Sequence, residues 1–321
     1  MIKYILRTLL LGSATIFGII LLIFIMIQLA PGNPIDTIAP KAPPEIRDQI
    51  ISMYGLDKAF HIQFAHWVVR MLHGDLGTSY IHGRAVVDIL RERIPPTARL
   101  IFFSYLVSLC IALPLGMHMG LPKRKYSNTY MYLSFDAVGS MPDFWIARLL
   151  IVFLAVELRW FPVSSCGVTG IEAISIWEKL QFMLSQVTLP AIALGLGNGR
   201  VSLFARHTRE EIESAISNNY IDLAIAKGIG KSRVLWNHAL PNSLVPLLTQ
   251  IVASIPSFIG ATIVVEMMFA YPGLGFLIYR ASINHDYPLI LGATLVLGIV
   301  VTVLNVFHDL ILYALDPQAR R

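Results

Sequence analysis

Gly228-Ile229-Gly230-Lys231-Ser232 has the residue types that cradle a phosphate: glycines that open backbone N–H groups to an oxyanion, then a lysine and a hydroxyl. The complete nucleotide-binding pattern also needs a glycine at position 225 and a strand before it. That position is Ile225, inside a stretch patterned as a helix, so the segment reads as a glycine turn and any ATP must be hydrolysed by a separate chain. His61, His66, His73, Asp75 and His82 carry metal-ligating groups, but none has the His-Glu-x-x-His spacing that sets two ligands on one helix face. They read as surface polar groups, with metal capture as the alternative. Asp143 and Arg148 lie inside an apolar run, where ionisable groups usually face a cavity or a partner. With Met141 and Pro142 they form one candidate border of a pathway, against simple pairing with another helix; a five-residue spacing puts them on neighbouring faces. Ser254 and Pro256, in a later apolar run, form a second candidate, because a proline kink can build a gate or merely shape a helix.

The glycine turn belongs to a polar island, Asn219 to Asn242, between two apolar stretches. Asn219 is placed to cap a helix, and Asp222 sits three residues on, where a capping-box acid reaches back on the favourable end of the helix dipole. Gly228 and Gly230 allow the chain to turn, and Ser232 can open a second short helix ending before Pro241. The expected unit is helix, tight turn, helix, with Lys227, Lys231 and Arg233 around the turn. A basic knob tethered at both ends to apolar segments is a docking surface.

Composition sets the medium. The chain has 321 residues, 55% hydrophobic and 14% charged, whereas soluble proteins carry about 25% charged residues. This is an all-α integral membrane protein. The net charge of +5 fits the positive-inside rule better than nucleic-acid binding. Cys110 and Cys166 form no disulfide framework and read as free thiols.

Six spans are expected: Leu9 to Ala30, Ala98 to Leu121, Tyr130 to Glu157, Gln186 to Phe204, Ser243 to Phe269 and Tyr287 to Leu312. Pro31 to Pro34 stops the first, which has no cleavage pattern and reads as a retained anchor. Residues 31–97 are polar with balanced charge, contain amphipathic segments at Glu45–Met53 and Phe60–Leu72, and fit the outer side. Residues 98–321 form a five-helix core whose cytoplasmic loop covers about 207–242. Lys3, Arg7, Lys123, Arg124, Lys125, Arg200, Arg206, Arg209, Lys227, Lys231, Arg233, Arg320 and Arg321 then fall on one side, which places both termini and the knob in the cytoplasm.

Asp222, Ala224, Gly228, Leu240 and Pro241 match the acid-x-Ala, Gly and Leu-Pro positions of the E-A-A loop in permease subunits of bacterial ATP-binding-cassette importers, which this loop resembles. Asp222 stands for the usual Glu and Leu223 for the first Ala. Tyr54-Gly55-Leu56-Asp57, Gly74 to Ser79, Pro142-Asp143-Phe144-Trp145, Glu266 to Gly275 and His285-Asp286-Tyr287-Pro288 look like the first-permease, B-type subunits of dipeptide, oligopeptide and nickel importers. The resemblance implies a type I importer permease in the bacterial inner membrane, in contact with membrane lipid. It also implies a sister C-type permease, two ATPase subunits that hold the Mg-ATP, and an extracytoplasmic binding protein. No cofactor is implied on this chain, and the loop of Asp222, Ala224, Lys227, Gly228, Lys231, Arg233, Leu240 and Pro241 would seat in the ATPases. Short peptides come first as cargo, nickel or a metal chelate second; the reading from a different class is an ion-driven secondary transporter.

Overall fold

The computed structural model describes the chain apart from residues 1, 30–34, 36–42, 56, 121–129, 131, 132, 135, 138, 165–174, 235, 238, 239 and 316–321. The stop at Pro31 to Pro34, the basic clusters at Lys123 to Lys125 and Arg320 to Arg321, and Cys166 therefore lie outside the described residues; Cys110 is a free thiol. The described residues form α-helices with one isolated β-bridge, Thr78 to Ala85. In order these are α1 (Ile2–Leu29), α2 (Pro44–Tyr54), α3 (Phe60–Leu72), α4 (Val86–Met119), α5 (Asp143–Leu150), α6 (Ile176–Leu196), α7 (Arg200–Ile216), α8 (Asn219–Ala226), α9 (Lys231–Val234), α10 (Leu240–Met268), α11 (Leu274–Ile283) and α12 (Tyr287–Leu315). α5 continues into a π-helical segment, Ile151–Glu157.

Among the described residues, five helices are long and apolar enough to cross a membrane: Leu6–Leu29, Val86–Met119, Ile176–Leu196, Pro246–Met268 and Tyr287–Ile311. Three boundaries differ from expectation. α4 begins at Val86 rather than Ala98 and runs through Pro95 and Pro96, because Val86, Ile89 and Leu90 are buried and hold the helix on that side of the prolines. Within Tyr130 to Glu157 the helix restarts at Asp143 after Ser140, Met141 and Pro142, as a proline disfavours helical geometry in the residue before it. The expected span from Gln186 to Phe204 is instead α6, beginning ten residues earlier at Ile176, and α7, separated at Gly197, Asn198 and Gly199.

The chain divides into two compact units. The first gathers residues 1–97 and 272–306. Here α2 starts with Pro44 in its first turn and stops at Gly55 in the left-handed region, while α3 lays Phe60, Phe64 and Trp67 on α1. Phe24 meets the rings of Phe60 and Phe64 edge-on, both at 5.1 Å. The loop from His73 to Ala85 is tied to the start of α12 by Asp286, which is fully buried. Its carboxylate accepts the Ser79 hydroxyl at 2.5 Å and the backbone N–H groups of Tyr80 and Ile81 at 3.1 and 3.3 Å.

The second unit comprises residues 98–271 and 307–321. α10 lies against α5, α6 and α7, and their shared core contains Leu194, Phe204, Phe258 and Phe269. The Ser108 hydroxyl on α4 donates to the Gly195 carbonyl at 2.6 Å, fastening α4 to the last turn of α6.

The Asp286 clamp is open to a direct measurement. Asp286→Ala strips three donors of their acceptor and should cost about 1–3 kcal/mol, read as a lower thermal midpoint in detergent and faster proteolysis of the loop around Ser79 to Arg84. An unchanged midpoint would show that the clamp contributes nothing to stability.

Candidate functional site

Two features of the second unit stand out, one exposed and one buried. The exposed one is the knob. α8 is capped at Asn218 rather than Asn219, and no capping-box bond forms; the Asn218 amide instead donates to the Ser214 carbonyl at 2.9 Å, fixing α8 to the end of α7. Asp222 is exposed in the first turn, where its charge still suits the helix dipole. Ile221 and Ala224 are buried one turn apart, packed with Met117, Ile212, Ala215 and Val234. The opposite face is open: Tyr220, Leu223 and Lys227 are exposed at i, i+3 and i+7, and Trp236 and Arg233 are exposed after the turn.

The turn is a glycine cap. Gly228 has φ 78°, its N–H donates to Ile225 at 2.9 Å, and the Ile229 N–H reaches back to Ala224 at 3.2 Å. These two bonds make a Schellman motif. Ile225 lies in α8, so the phosphate-cradle pattern is a helix stop, as the sequence suggested. α9 opens at Lys231, one residue before Ser232; of the Lys231 side chain nothing is described. Half-buried Leu240 and exposed Pro241 form the first turn of α10, Leu240 packing against the knob's apolar cluster.

The buried feature joins α5 to α6 and α7. Asp143, the first residue of α5, is paired with Arg200, the first residue of α7; their side chains are 5% and 6% exposed. One guanidinium nitrogen donates to Asp143 Oδ1 at 2.6 Å and to the carbonyls of Leu194 and Gly197 at 2.7 and 3.0 Å; the other reaches Oδ2 at 3.2 Å. The Asn198 amide donates to the same Oδ2 at 2.5 Å, and the Arg200 guanidinium lies 4.6 Å from the centre of the Phe258 ring. A buried charge pair survives only when its remaining lone pairs and protons find partners, and here both carboxylate oxygens and both terminal guanidinium nitrogens are hydrogen-bonded. A Cβ on Gly197 would stand 2.0 Å from Asp143 Oδ1 and 3.0 Å from its Cα, so only glycine admits this approach.

The structure thus pairs Asp143 with another helix, while Arg148 is exposed and contributes nothing to the pair. Met141 accepts the Asn198 N–H at 3.1 Å and Pro142 precedes α5 as its cap. Ser254 on α10 shares a 2.8 Å hydrogen bond with Tyr105, whose ring stacks on Phe258 at 4.0 Å; half-buried Pro256 lies in the interior of the same helix. Arg200 was counted from the sequence only as a basic residue. The signal available was Gly195-Leu196-Gly197-Asn198-Gly199, a helix-breaking run inside apolar sequence with an arginine behind it. The histidines stay apart: His73 Nδ1 contacts the Val69 carbonyl, His82 Nδ1 contacts Ser79, and no metal-holding group of three His, Cys, Asp or Glu forms among the described residues.

Long apolar helices packed about a fixed polar node, with an exposed knob between α7 and α10, are the parts of a membrane transport component. Residues 112–321 match the family model described as "Binding-protein-dependent transport system inner membrane component", and residues 1–101 match the N-terminal membrane component of the same systems. The chain belongs to this family, multi-pass permease subunits of the inner membrane. The two matches occupy nearly all of it and leave no stretch for an ATPase domain within the chain. It is 33% identical to the oligopeptide transport system permease protein AppB of Bacillus subtilis (strain 168), covering 99% of each chain. It is 31% identical to a protein of Brucella suis biovar 1 (strain 1330) named as a peptide permease, over 100% of this chain and 99% of that one. A chain of the MetNI methionine ABC transporter in inward-facing conformations matches 71% of this chain and 96% of its own, with TM-score 0.50 and 14% identity, a likeness of fold alone. Family members work in ABC transporter complexes with ATPases and binding proteins.

The node makes a non-additive prediction. Arg200→Met strands a buried carboxylate and should destabilise by about 3–5 kcal/mol, whereas Asp143→Leu combined with Arg200→Met removes both charges and should recover most of that loss. Thermal unfolding of the purified variants in detergent checks it. Equal losses in the single and double variants would mean that pairing is not what holds these helices.

Proposed function

We propose that this chain is the B-type permease of an ATP-driven importer of short peptides. The observation that carries the reading is the similarity along the whole chain to permeases named for oligopeptides and peptides, which favours peptides over nickel or a metal chelate. In this proposal α5 and its π-helical continuation complete a sixth span, both termini lie in the cytoplasm, and the fold is that of a type I importer. A sister C-type permease completes the pathway, two ATPases hold Mg-ATP, and an extracytoplasmic binding protein delivers the peptide. Residues 31–97 face that protein.

The knob is the ATPase contact. Exposed Tyr220, Leu223 and Trp236 offer apolar area, and Asp222, Lys227 and Arg233 offer charge around it. Its buried side, Ile221 and Ala224, ties it to the core. The ATPases shift the permease between inward- and outward-facing states only through contacts that differ between the two. Met141, Pro142 and Asp143, with Ser254 and Pro256, sit where α5, α7 and α10 meet and border the pathway; exposed Arg148 faces the sister permease or the pathway, since a cation in a span needs a partner.

Gly228→Pro is the test. Proline cannot take φ 78° and lacks the N–H that closes the cap, so the knob should lose its shape while the spans stay inserted. The assembly should still hydrolyse ATP, with peptide uptake reduced at least about tenfold, a loss of about 1.4 kcal/mol of coupling or more. Normal uptake by this variant would remove the docking role. Peptide uptake that persists with ATP depleted and a proton gradient intact would point to an ion-driven transporter instead.

A further inference from the structure

Arg148 stands on α5, just beyond the acid of the buried node, and makes no ion pair or hydrogen bond among the described residues. Its depth follows from α4. Residues 98–119, the part of α4 in the second unit, form about 33 Å of helix, roughly one bilayer thickness. Ser108, bonded to the Gly195 carbonyl, lies at the middle of that length. The node gathers at the same end of α6, through the carbonyls of Leu194 and Gly197. Arg148 is about 7 Å further along α5 and so lies within the apolar slab, where a charge without a partner is expensive.

The helix turns this cation away from the protein core. Asp143, Ile146 and Ala147 are buried on one face, while Phe144, Trp145 and Arg148 are exposed together on the other, at i, i+1 and i+4. Lipid tails cannot solvate a guanidinium, so this face does not look into the bilayer. One turn beyond Arg148 the helix changes to π geometry over Ile151–Glu157, with the Leu158 N–H reaching the Phe153 carbonyl at 3.0 Å. Such segments recur at functional sites. Fastening α5 needs no second ion pair, because Asp143 already ties its first residue to Arg200 on α7. What remains for Arg148 is a partner that comes and goes.

We propose that Arg148 receives the terminal carboxylate of the cargo peptide in the passage. The inference rests on the reading of the cargo as short peptides, and it names the group that is recognised. Every linear peptide ends in a carboxylate whatever its sequence, and a guanidinium pairs with that group through two parallel hydrogen bonds. Exposed Phe144 and Trp145 supply an apolar surface for the last side chain. Water hydrates the cation in the empty passage, and the carboxylate replaces that water in the loaded one. Because α5 is rooted on α7, a displacement of α7 carries Arg148 with it and breaks the geometry that two parallel bonds require, which frees the peptide.

The test follows uptake into proteoliposomes holding the full assembly, with saturating binding protein, for trialanine and for its C-terminal amide. Wild type should favour the free acid, and Arg148→Gln should cut the ratio of acid to amide uptake about tenfold. Arg148→Lys, which keeps the charge and loses the planar fork, should restore part of that ratio. Unchanged thermal midpoints in detergent would show that the variants fold. A second measurement does not depend on how well the amide loads the binding protein: a tripeptide with a photoreactive C-terminal phenylalanine should cross-link to α5 at Phe144 or Trp145, and Arg148→Gln should abolish the cross-link. Equal losses of acid and amide uptake in Arg148→Gln, without a cross-link to α5, would assign Arg148 to an acid of the sister permease and overturn the proposal. Unchanged uptake of both peptides overturns it as well. Wild-type assembly that takes up neither peptide would instead refute the peptide reading on which the proposal stands.

Discussion

The ion pair of Asp143 and Arg200 is the constraint on which the second unit depends. Taking a carboxylate and a guanidinium out of water costs several kcal/mol per ion, and their attraction offsets this only when every other polar atom is satisfied. That requirement dictates the local chain. The carbonyls of Leu194 and Gly197 must turn toward the guanidinium, which needs α6 to stop where it does. Asn198 must present its amide to the carboxylate, which it does from φ 50°, a left-handed conformation that asparagine tolerates better than most residues. Gly197 must lack a side chain. The break between α6 and α7 is thus set by one charge pair.

The first unit solves a related problem the same way. Asp286 is fully buried, and its carboxylate is met by a hydroxyl and two backbone N–H groups from a loop more than two hundred residues away in sequence. In both units an acid at the start of a helix fastens a distant segment. The acid gains from the helix dipole at the same time, so one residue both suits the helix terminus and clamps a distant segment.

These pairings explain which parts of the structure could be read from the sequence. α1, α10 and α12 are apolar over more than twenty residues, and the amphipathic pattern of α2 and α3 ends at Gly55 and near Gly74, so length, periodicity and breakers place them. The middle of the chain obeys contacts between residues far apart. Arg148 is the nearest cation to Asp143 along the span, yet the partner is Arg200, 57 residues on, because helix packing rather than sequence distance decides which charges meet. The prolines at 95 and 96 mark a boundary by local rules, but buried Val86, Ile89 and Leu90 carry α4 past them. At the knob the glycine turn follows from residue types alone, whereas the shift of the cap to Asn218 depends on the end of α7, which no local pattern reveals.

Node and knob are the two ends of one helix. α7 begins at Arg200 inside the ion pair and ends at Ile216, next to the Asn218 cap of α8, and its 17 residues span roughly 25 Å. Buried Val201, Phe204, Ala205 and Ile212 pack it along its length, so it cannot bend locally without losing core contacts. A force on α8 reaches α7 through Ile221 and Ala224, which share a cluster with Ile212 and Ala215. At the far end the charge pair admits no partial loosening, since a lengthened contact would leave both ions buried and underpaired. A partner that binds the knob differently in two states therefore meets a lever fixed at its root, and its differential binding free energy can be delivered to the helices around Phe258 rather than lost in local unfolding.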